Sequence, residues 1–188
     1  LDSMQKQKAQ SKLNGLARLK LVAVILGFLW TLFLGILIYG NQLRNIYFTI
    51  SGGMIMLITI AAIIAYIRHI ALIKDLDYSQ SITDTQKKLA KLQASTFNNR
   101  FILLQTPFYT TWFWSTEMIQ ASVIKFCLIA VPITLLFTVL TIWLYKNLTP
   151  LKMHKKWVNY LLKNDPEQVP VIQAQKFLNE IEEFKTAS

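Results

Sequence analysis

The sequence predicts an all-α membrane protein with four transmembrane helices. The prediction begins from four long apolar runs that contain no Asp, Glu, Lys or Arg. These are Leu21 to Leu43, Asn45 to Ile67, Phe101 to Thr116 and Phe126 to Tyr145. An apolar helix of about 20 residues crosses a hydrocarbon core of about 30 Å. The first, second and fourth runs reach that length.

The distribution of basic residues predicts the orientation. Eighteen of the 20 Lys and Arg lie in three segments: five before the first run, six between the second and third runs, and seven after the fourth. Only Arg44 and Lys125 lie in the other two intervals. Because Lys and Arg beside a span are retained in the cytosol, both the N-terminal segment and the tail are expected inside, N-in/C-in.

Composition agrees with residence in a membrane. Hydrophobic residues make up 53 % of the chain and charged residues 16 %, whereas charged residues are about a quarter of a soluble domain. The net charge of +10 does not indicate nucleic-acid binding, because the basic residues flank apolar runs and form no known binding fold. The single cysteine, Cys127, excludes an intrachain disulfide.

The runs divide the chain into five parts. We expect a basic cytosolic leader (1–20), a first transmembrane hairpin (21–67), a cytosolic helical connection between spans 2 and 3 (68–100), a second transmembrane hairpin (101–146) and a cytosolic tail (147–188). The leader places Leu13, Leu16 and Lys20 on one helical side, which suits either an interfacial helix or a frayed segment.

In the first hairpin, three small residues predict a helix-packing face. Gly27, Thr31 and Gly35 recur every four residues, so they form one stripe where a neighbouring backbone can approach closely. Residues 40–45 between the two runs are too few to hold a domain and predict a turn at the outer surface.

The cytosolic connection predicts one amphipathic helix after a break at residues 77–80, with Ser81 and Asp84 at the spacing of a capping box. Its narrow apolar seam consists of Ile82, Thr85, Leu89, Leu92 and Thr96. Such a seam either packs on its own protein or receives a partner. Leu89 and Leu92 are therefore candidates for a partner surface.

The third run is the shortest and contains Gln105 and Pro107. Its 16 residues would rise only about 24 Å as a helix, so length alone allows a re-entrant segment. However, if it did not cross, the lysine-rich tail would end outside, against the positive-inside rule. We therefore expect a short span distorted by its proline.

The tail predicts two helices of opposite charge. A basic helix beginning at Thr149 and Pro150 carries Trp157 and Tyr160 and is expected on the inner membrane surface. After Pro166 and Pro170 as breakers, Val171 to Phe184 forms an amphipathic acidic helix. It docks either on this protein, or a second copy, near Lys87, Lys88 and Lys91, or on a separate partner. The residues of its apolar side that would make the contact are Phe177, Leu178, Ile181 and Phe184.

No pattern in the sequence indicates catalysis. It has no metal-ligand spacing, phosphate loop or nucleophile motif, so we expect no catalytic, cofactor-binding or metal-binding residues. His69 and His154 are interpreted as interfacial residues. Gln105 and Tyr109 are candidates for a polar site within the membrane, with helix-to-helix hydrogen bonds as the other use of these groups.

Three stretches carry a resemblance: KLAKLQASTFNNRFILLQTPFYTTWFW from Lys88 to Trp114, TLLFTVLTIWLYKN in the fourth run and FLNEIEEFK in the tail. Together they resemble an uncharacterised family of small bacterial inner-membrane proteins often encoded beside extracytoplasmic-function sigma factors. The resemblance implies a multi-pass protein of the cytoplasmic membrane with a regulatory, anti-sigma-like role. Only 20 residues precede the first run, so binding would come from the central helix or the tail.

We therefore expect a non-enzymatic regulatory or scaffolding protein that lies in the lipid bilayer, engages a cytosolic protein and forms a homo-oligomer such as a homodimer. The alternative is a subunit or small transporter for an uncharged or lipid-like solute, which would show a polar cavity near Gln105. A lipid-acting enzyme is a third reading, weakened because acid, base and metal groups are missing.

Overall fold

The computed structural model describes residues 2–76, 82–148, 155–174 and 176, and all regular structure in these ranges is helical. Its α-helices, numbered here in chain order, are α1 Asp2–Asn41, α2 Ile46–Lys74, α3 Ile82–Asn98, α4 Thr106–Thr111, α5 Thr116–Ala121, α6 Val123–Lys125, α7 Val131–Asn147 and α8 Lys156–Lys163. A 3-10 helix, Asn99–Gln105, connects α3 to α4, and a π-helical turn, Phe126–Ala130, connects α6 to α7.

Three helices in the described part of the chain are long and apolar enough to cross a membrane. They are Gln7–Asn41, Ile46–Lys74 and Val123–Asn147. The all-α prediction is confirmed for the described residues, and the three long apolar helices agree with a membrane protein. The third predicted run does not form a helix of this kind.

The chain forms two compact units. The first, which we call the polar unit, comprises the described parts of residues 1–24, 64–99 and 150–188. The second, the apolar unit, comprises the described parts of residues 25–63 and 100–149.

The polar unit is organised around a closed apolar core. The leader, the end of α2, α3 and the helical residues 168–174 contribute to it. The core residues are Ala9, Leu13, Leu16, Ile73, Leu76, Leu89, Leu92, Val171 and Ala174. The apolar side of the leader is thus packed, because Leu13 and Leu16 are buried in this core.

The amphipathic seam of α3 packs on its own chain. Leu89 and Leu92 have no exposed surface, and Thr85 and Thr96 are also buried. The expectation that Leu89 and Leu92 form a partner surface is therefore wrong, since the core of the polar unit already covers them. The other reading of the seam, packing on its own protein, is the one observed.

The beginning of the predicted terminal helix also packs into this core. Val171 and Ala174 are fully buried. Pro170 does not break the chain here, because it lies in the first turn of the helical residues 168–174, where a missing N–H leaves no bond unmade. Phe177, Leu178, Ile181 and Phe184 lie outside the described residues, so their docking stays a prediction.

In the apolar unit, α1 and α2 approach each other closely at two glycines. A Cβ atom at Gly27 would lie 3.1 Å from Ile63 Cγ1, and one at Gly52 would lie 3.2 Å from Ile38 Cδ1. A Cβ atom at Gly35 would meet no atom within 4 Å. Within this chain the predicted stripe therefore makes its close contact at Gly27 and not at Gly35. Thr31 uses its hydroxyl locally, donating to the carbonyl of Gly27 at 2.8 Å.

The turn between α1 and α2 lies within residues 40–45, where the sequence predicts it. Gln42 and Leu43 adopt φ of 44° and 61°, the left-handed region that side chains seldom occupy. Asn41 Nδ2 stabilises the turn by donating to the carbonyl of Asn45 at 3.0 Å and to Thr49 Oγ1 at 2.9 Å.

The third run is a 3-10 helix followed by a short α-helix, which explains how it accommodates Pro107. The proline falls in the first turn of α4, where it interrupts no α-helical bond. Pro132 is similarly placed in the first turn of α7, directly after the π-helical turn. Both prolines therefore lie where the helix type changes, and neither interrupts an α-helix.

The contact at Gly27 gives a prediction with a matched control. Replacing Gly27 by Leu should overpack against Ile63 and lower the free energy of unfolding by about 1 to 3 kcal/mol. Gly35→Leu gains the same helix propensity but meets no neighbour, so it should leave stability unchanged or raise it. Thermal unfolding in detergent, followed by circular dichroism, measures both. Equal effects of the two replacements would show that the contact at Gly27 does not constrain the fold.

Candidate functional site

The polar unit buries a lysine that joins three distant parts of the chain. Lys20 has no exposed surface, and its Nζ donates to Glu167 Oε2 at 2.7 Å. Tyr66 donates its hydroxyl to the other carboxylate oxygen, Glu167 Oε1, at 2.6 Å. The ammonium also lies 4.4 Å from the centre of the Tyr66 ring, a cation–π distance.

The turn after α8 fixes the position of Glu167. Asp165 Oδ1 accepts the backbone N–H of Glu167 at 2.9 Å, and the Asp165 carbonyl accepts the N–H groups of Gln168 and Val169. This is the Asx-type geometry that Asp favours before a helix. Burial raises the pKa of the Asp165 carboxyl, and the charge of Glu167 raises it further. The segment thus holds two carboxylates opposite one buried ammonium.

A second polar chain joins α2 to the end of α3. His69 is almost fully buried; its Nε2 lies 2.6 Å from Ser95 Oγ and its Nδ1 lies 3.4 Å from Asn99 Nδ2. With the Asn99 amide N–H directed at Nδ1, the arrangement favours the tautomer that carries its proton on Nε2. His69 therefore donates to Ser95, which is the reverse of the arrangement that activates a serine nucleophile.

The apolar unit holds a smaller polar group around Gln105. Gln105 Nε2 donates to Thr59 Oγ1 at 3.3 Å, and Tyr109 donates its hydroxyl to Gln105 Oε1 at 3.3 Å. The structure therefore brings the two predicted residues of this polar site together. Their bonds link α2 to the third run, which is the helix-to-helix use considered for them. Whether they also bind a solute stays a prediction.

Beside Tyr109 lies a cavity of about 430 Å³. Thr106, Tyr109 and Thr110 contribute to its lining, and the surface of the cavity is almost entirely apolar. The apolar lining consists of Phe113, Trp114, Met118, Ile129, Ala130, Ile133 and Phe137. Such a lining suits a hydrocarbon chain with one hydrogen-bonding group.

No group suited to metal binding occurs in the part of the chain that the structure describes: it contains no cluster of three or more His, Cys, Asp or Glu. Cys127 is a free, exposed thiol. His154 lies outside the described residues, and His69 is buried within the protein.

Sequence reasoning missed the Lys20, Tyr66 and Glu167 cluster. A signal was present, since Lys20 continues the apolar side of Leu13 and Leu16, both of which are buried. A lysine in line with a core stripe requires a counter-ion. Its partner is 147 residues away, however, and no local pattern identifies it.

Comparisons with known proteins identify no relative. No protein-family model matches the chain, and neither a curated protein nor a solved structure shows significant similarity to it. The resemblance in the sequence to sigma-factor-associated membrane proteins therefore stays a prediction.

The buried pair gives a prediction by a double-mutant cycle. Lys20→Met leaves Glu167 without its counter-ion, and Glu167→Gln leaves a buried ammonium, so each should lower the free energy of unfolding by about 3 kcal/mol. The double replacement should cost less than the sum of the two, because it leaves neither charge unpaired. Chemical unfolding in detergent measures the cycle, with Lys87→Met on the exposed face of α3 as the control. Strictly additive losses would show that the two charges do not stabilise each other.

Proposed function

We propose that this chain is a non-enzymatic integral membrane protein of the bacterial inner membrane that holds or regulates a cytosolic protein. The observation that carries the proposal is the polar unit, a closed helical core built from the basic segments of the chain. A membrane helix needs no such unit merely to be anchored. The leader, the end of α2, α3 and the tail together build this unit. A packed unit of this kind can present a surface to a cytosolic protein, which supports the proposal.

The partner surface in this proposal is the charged outer face of α3. Lys87 and Lys91 are exposed, while the apolar seam of the same helix is buried. A basic face of this kind suits an acidic protein surface, for which charge complementarity provides specificity and rapid association. The proposal includes a homodimer as the oligomeric form, and an anti-sigma-like role remains one version of it.

The partner surface can be tested by site-specific photo-crosslinking in cells. A photoreactive residue at Lys87 should give a discrete protein adduct that weakens when salt is raised in isolated membranes. The same residue at Leu136, 64 % exposed on the apolar helix α7, is the matched control and should give no such adduct. If positions 87 and 91 both give only lipid or no adducts, the partner-binding function is wrong.

The alternative is a subunit or small transporter for a lipid-like solute, and the cavity beside Tyr109 is the observation that favours it. The two functions predict different molecules retained in mild detergent. A stoichiometric apolar solute in the cavity beside Tyr109, with no protein adduct at Lys87, would favour the alternative.

The proposal includes four spans with the leader and tail in the cytosol. Supporting it, the apolar unit holds few of the 20 basic and 10 acidic residues. They are Arg44, Arg100, Glu117, Lys125 and Lys146. Arg100 and Lys146 adjoin the predicted cytosolic ends of the third and fourth runs, which leaves Arg44 and Lys125 as the basic residues expected outside.

Cysteine labelling in intact cells checks this topology. With Cys127 replaced by Ala, single cysteines at Asn41, Ser81 and Ala187 should react with a membrane-impermeant maleimide only at Asn41. After permeabilisation all three should react, which is the control for accessibility. Labelling of Ala187 in intact cells would mean that an odd number of helices crosses the membrane, and the third run would then be re-entrant.

A further inference from the structure

A groove of about 600 Å³ in the polar unit is lined by one face of α2 and one face of α3. From α2 it is lined by Arg68, Ala71, Leu72 and Asp75, and from α3 by Lys91 and Ser95. The α2 residues recur at intervals of three and four, so they share one helical face. Two cations, one hydroxyl and one carboxylate therefore lie along one groove.

Because α2 and α3 run antiparallel, Asp75 and Arg68 lie at opposite ends of the groove. Lys88 Nζ donates to the Asp75 carbonyl at 3.0 Å and lies 3.9 Å from its carboxylate, whereas Ser95 contacts His69. Asp75 is thus at one end of the groove, where Lys88 offsets its negative charge. Arg68 is seven residues earlier on α2, about 10 Å along the axis, at the end occupied by Ser95.

The hydroxyl of Ser95 is oriented by its neighbours. His69 Nε2 donates to Ser95 Oγ, since Asn99 Nδ2 supplies the hydrogen bond to His69 Nδ1. A serine oxygen that accepts from a buried ring N–H keeps its own proton for another acceptor. At this end of the groove lie Arg68 and Ser95, with Lys91 one helical turn from Ser95 on α3, and all three are donors suited to a phosphate oxygen.

We propose that the Arg68 end of this groove binds a phosphate group, with Arg68 and Lys91 neutralising its charge and Ser95 donating a hydrogen bond. The first charged residue after the apolar run Asn45 to Ile67 is Arg68, which is where the headgroup of an anionic lipid would present its phosphate. A soluble phosphate ester offers the same chemistry. This binding of a phosphate group requires neither a protein partner nor the proposed four-span topology.

Native mass spectrometry of the full chain in a neutral detergent tests the proposal, with phosphatidylglycerol, phosphatidylcholine and inorganic phosphate as probes. We expect one phosphatidylglycerol bound in preference to phosphatidylcholine. Arg68→Gln and Lys91→Gln should each weaken binding about fivefold, and Ser95→Ala should weaken it too. Lys12→Gln, which removes an exposed cation of the polar unit outside the groove, is the matched control and should leave binding unchanged.

The outcomes separate the two sources of phosphate. Variant-sensitive binding of phosphatidylglycerol supports a lipid headgroup, and variant-sensitive binding of inorganic phosphate alone supports a soluble ligand. Because Ser95→Ala also removes a bond to His69, its thermal unfolding is recorded, and the exposed Lys91→Gln carries the test if that variant does not fold. Binding that is insensitive to Arg68 and Lys91, or equal occupancy by both lipids, would overturn the proposal.

Discussion

A fully buried ammonium cannot remain charged in a protein interior without a counter-ion, and this constraint organises the polar unit. Lys20 meets it with Glu167 at 2.7 Å and with the ring of Tyr66. The three members of the cluster come from the leader, α2 and the turn after α8, so the cluster fixes the register of segments that are far apart in sequence. An apolar core alone tolerates sliding between helices, whereas an ion pair with two hydrogen-bonded oxygens does not. The core residues of the leader and the tail can therefore pack in one arrangement.

In the apolar unit, short hydrogen bonds between polar groups hold the helices in position. Helices surrounded by lipid gain little by burying apolar surface against each other, so close packing and hydrogen bonds hold them. Asn45 Nδ2 donates to the carbonyl of Trp114 at 2.7 Å, and Ser51 and Thr111 share a hydrogen bond of 2.7 Å. Arg100 donates to the carbonyl of Leu148, which supplies the end of α7 with a partner that the helix itself cannot provide.

The periodic parts of the fold could be predicted from sequence, and the parts held by single long-range contacts could not. The seam through Thr85, Leu89 and Leu92 was predicted because its spacing repeats, and all three are buried. Which surface covers the seam was not predictable, since any apolar stripe of the same width would fit. The long apolar helices followed from length and composition alone. The third run was harder because Pro107 can either distort a span or begin a helix, and only tertiary contacts decide between the two.

The candidate sites show the same division. Gln105 and Tyr109 were identified because polar groups are conspicuous in an apolar run, and they bond to each other. His69 was interpreted as interfacial from its position beside Arg68. In the structure it is buried and contacts Ser95 and Asn99, which lie 26 and 30 residues away and share no local pattern with it. Gly27 and Gly35 look equivalent in the sequence, but only Gly27 faces a large side chain. A spacing of four identifies a helical face without stating how far along that face the neighbouring helix stays in contact.

Burial of the α3 seam limits how this protein can recognise a partner. Fully burying one Leu side chain contributes about 1.5 to 3 kcal/mol, so exposing both Leu89 and Leu92 to a partner would cost a large share of a typical domain's stability. A partner that binds the closed polar unit must instead contact side chains that are already exposed, and among the described residues of α3 the charged ones that are exposed are Lys87 and Lys91. Recognition through such a face relies on charge, because exposed ion pairs add little affinity individually but orient and accelerate association. Binding would then weaken as ionic strength rises, whereas binding to an apolar seam would not.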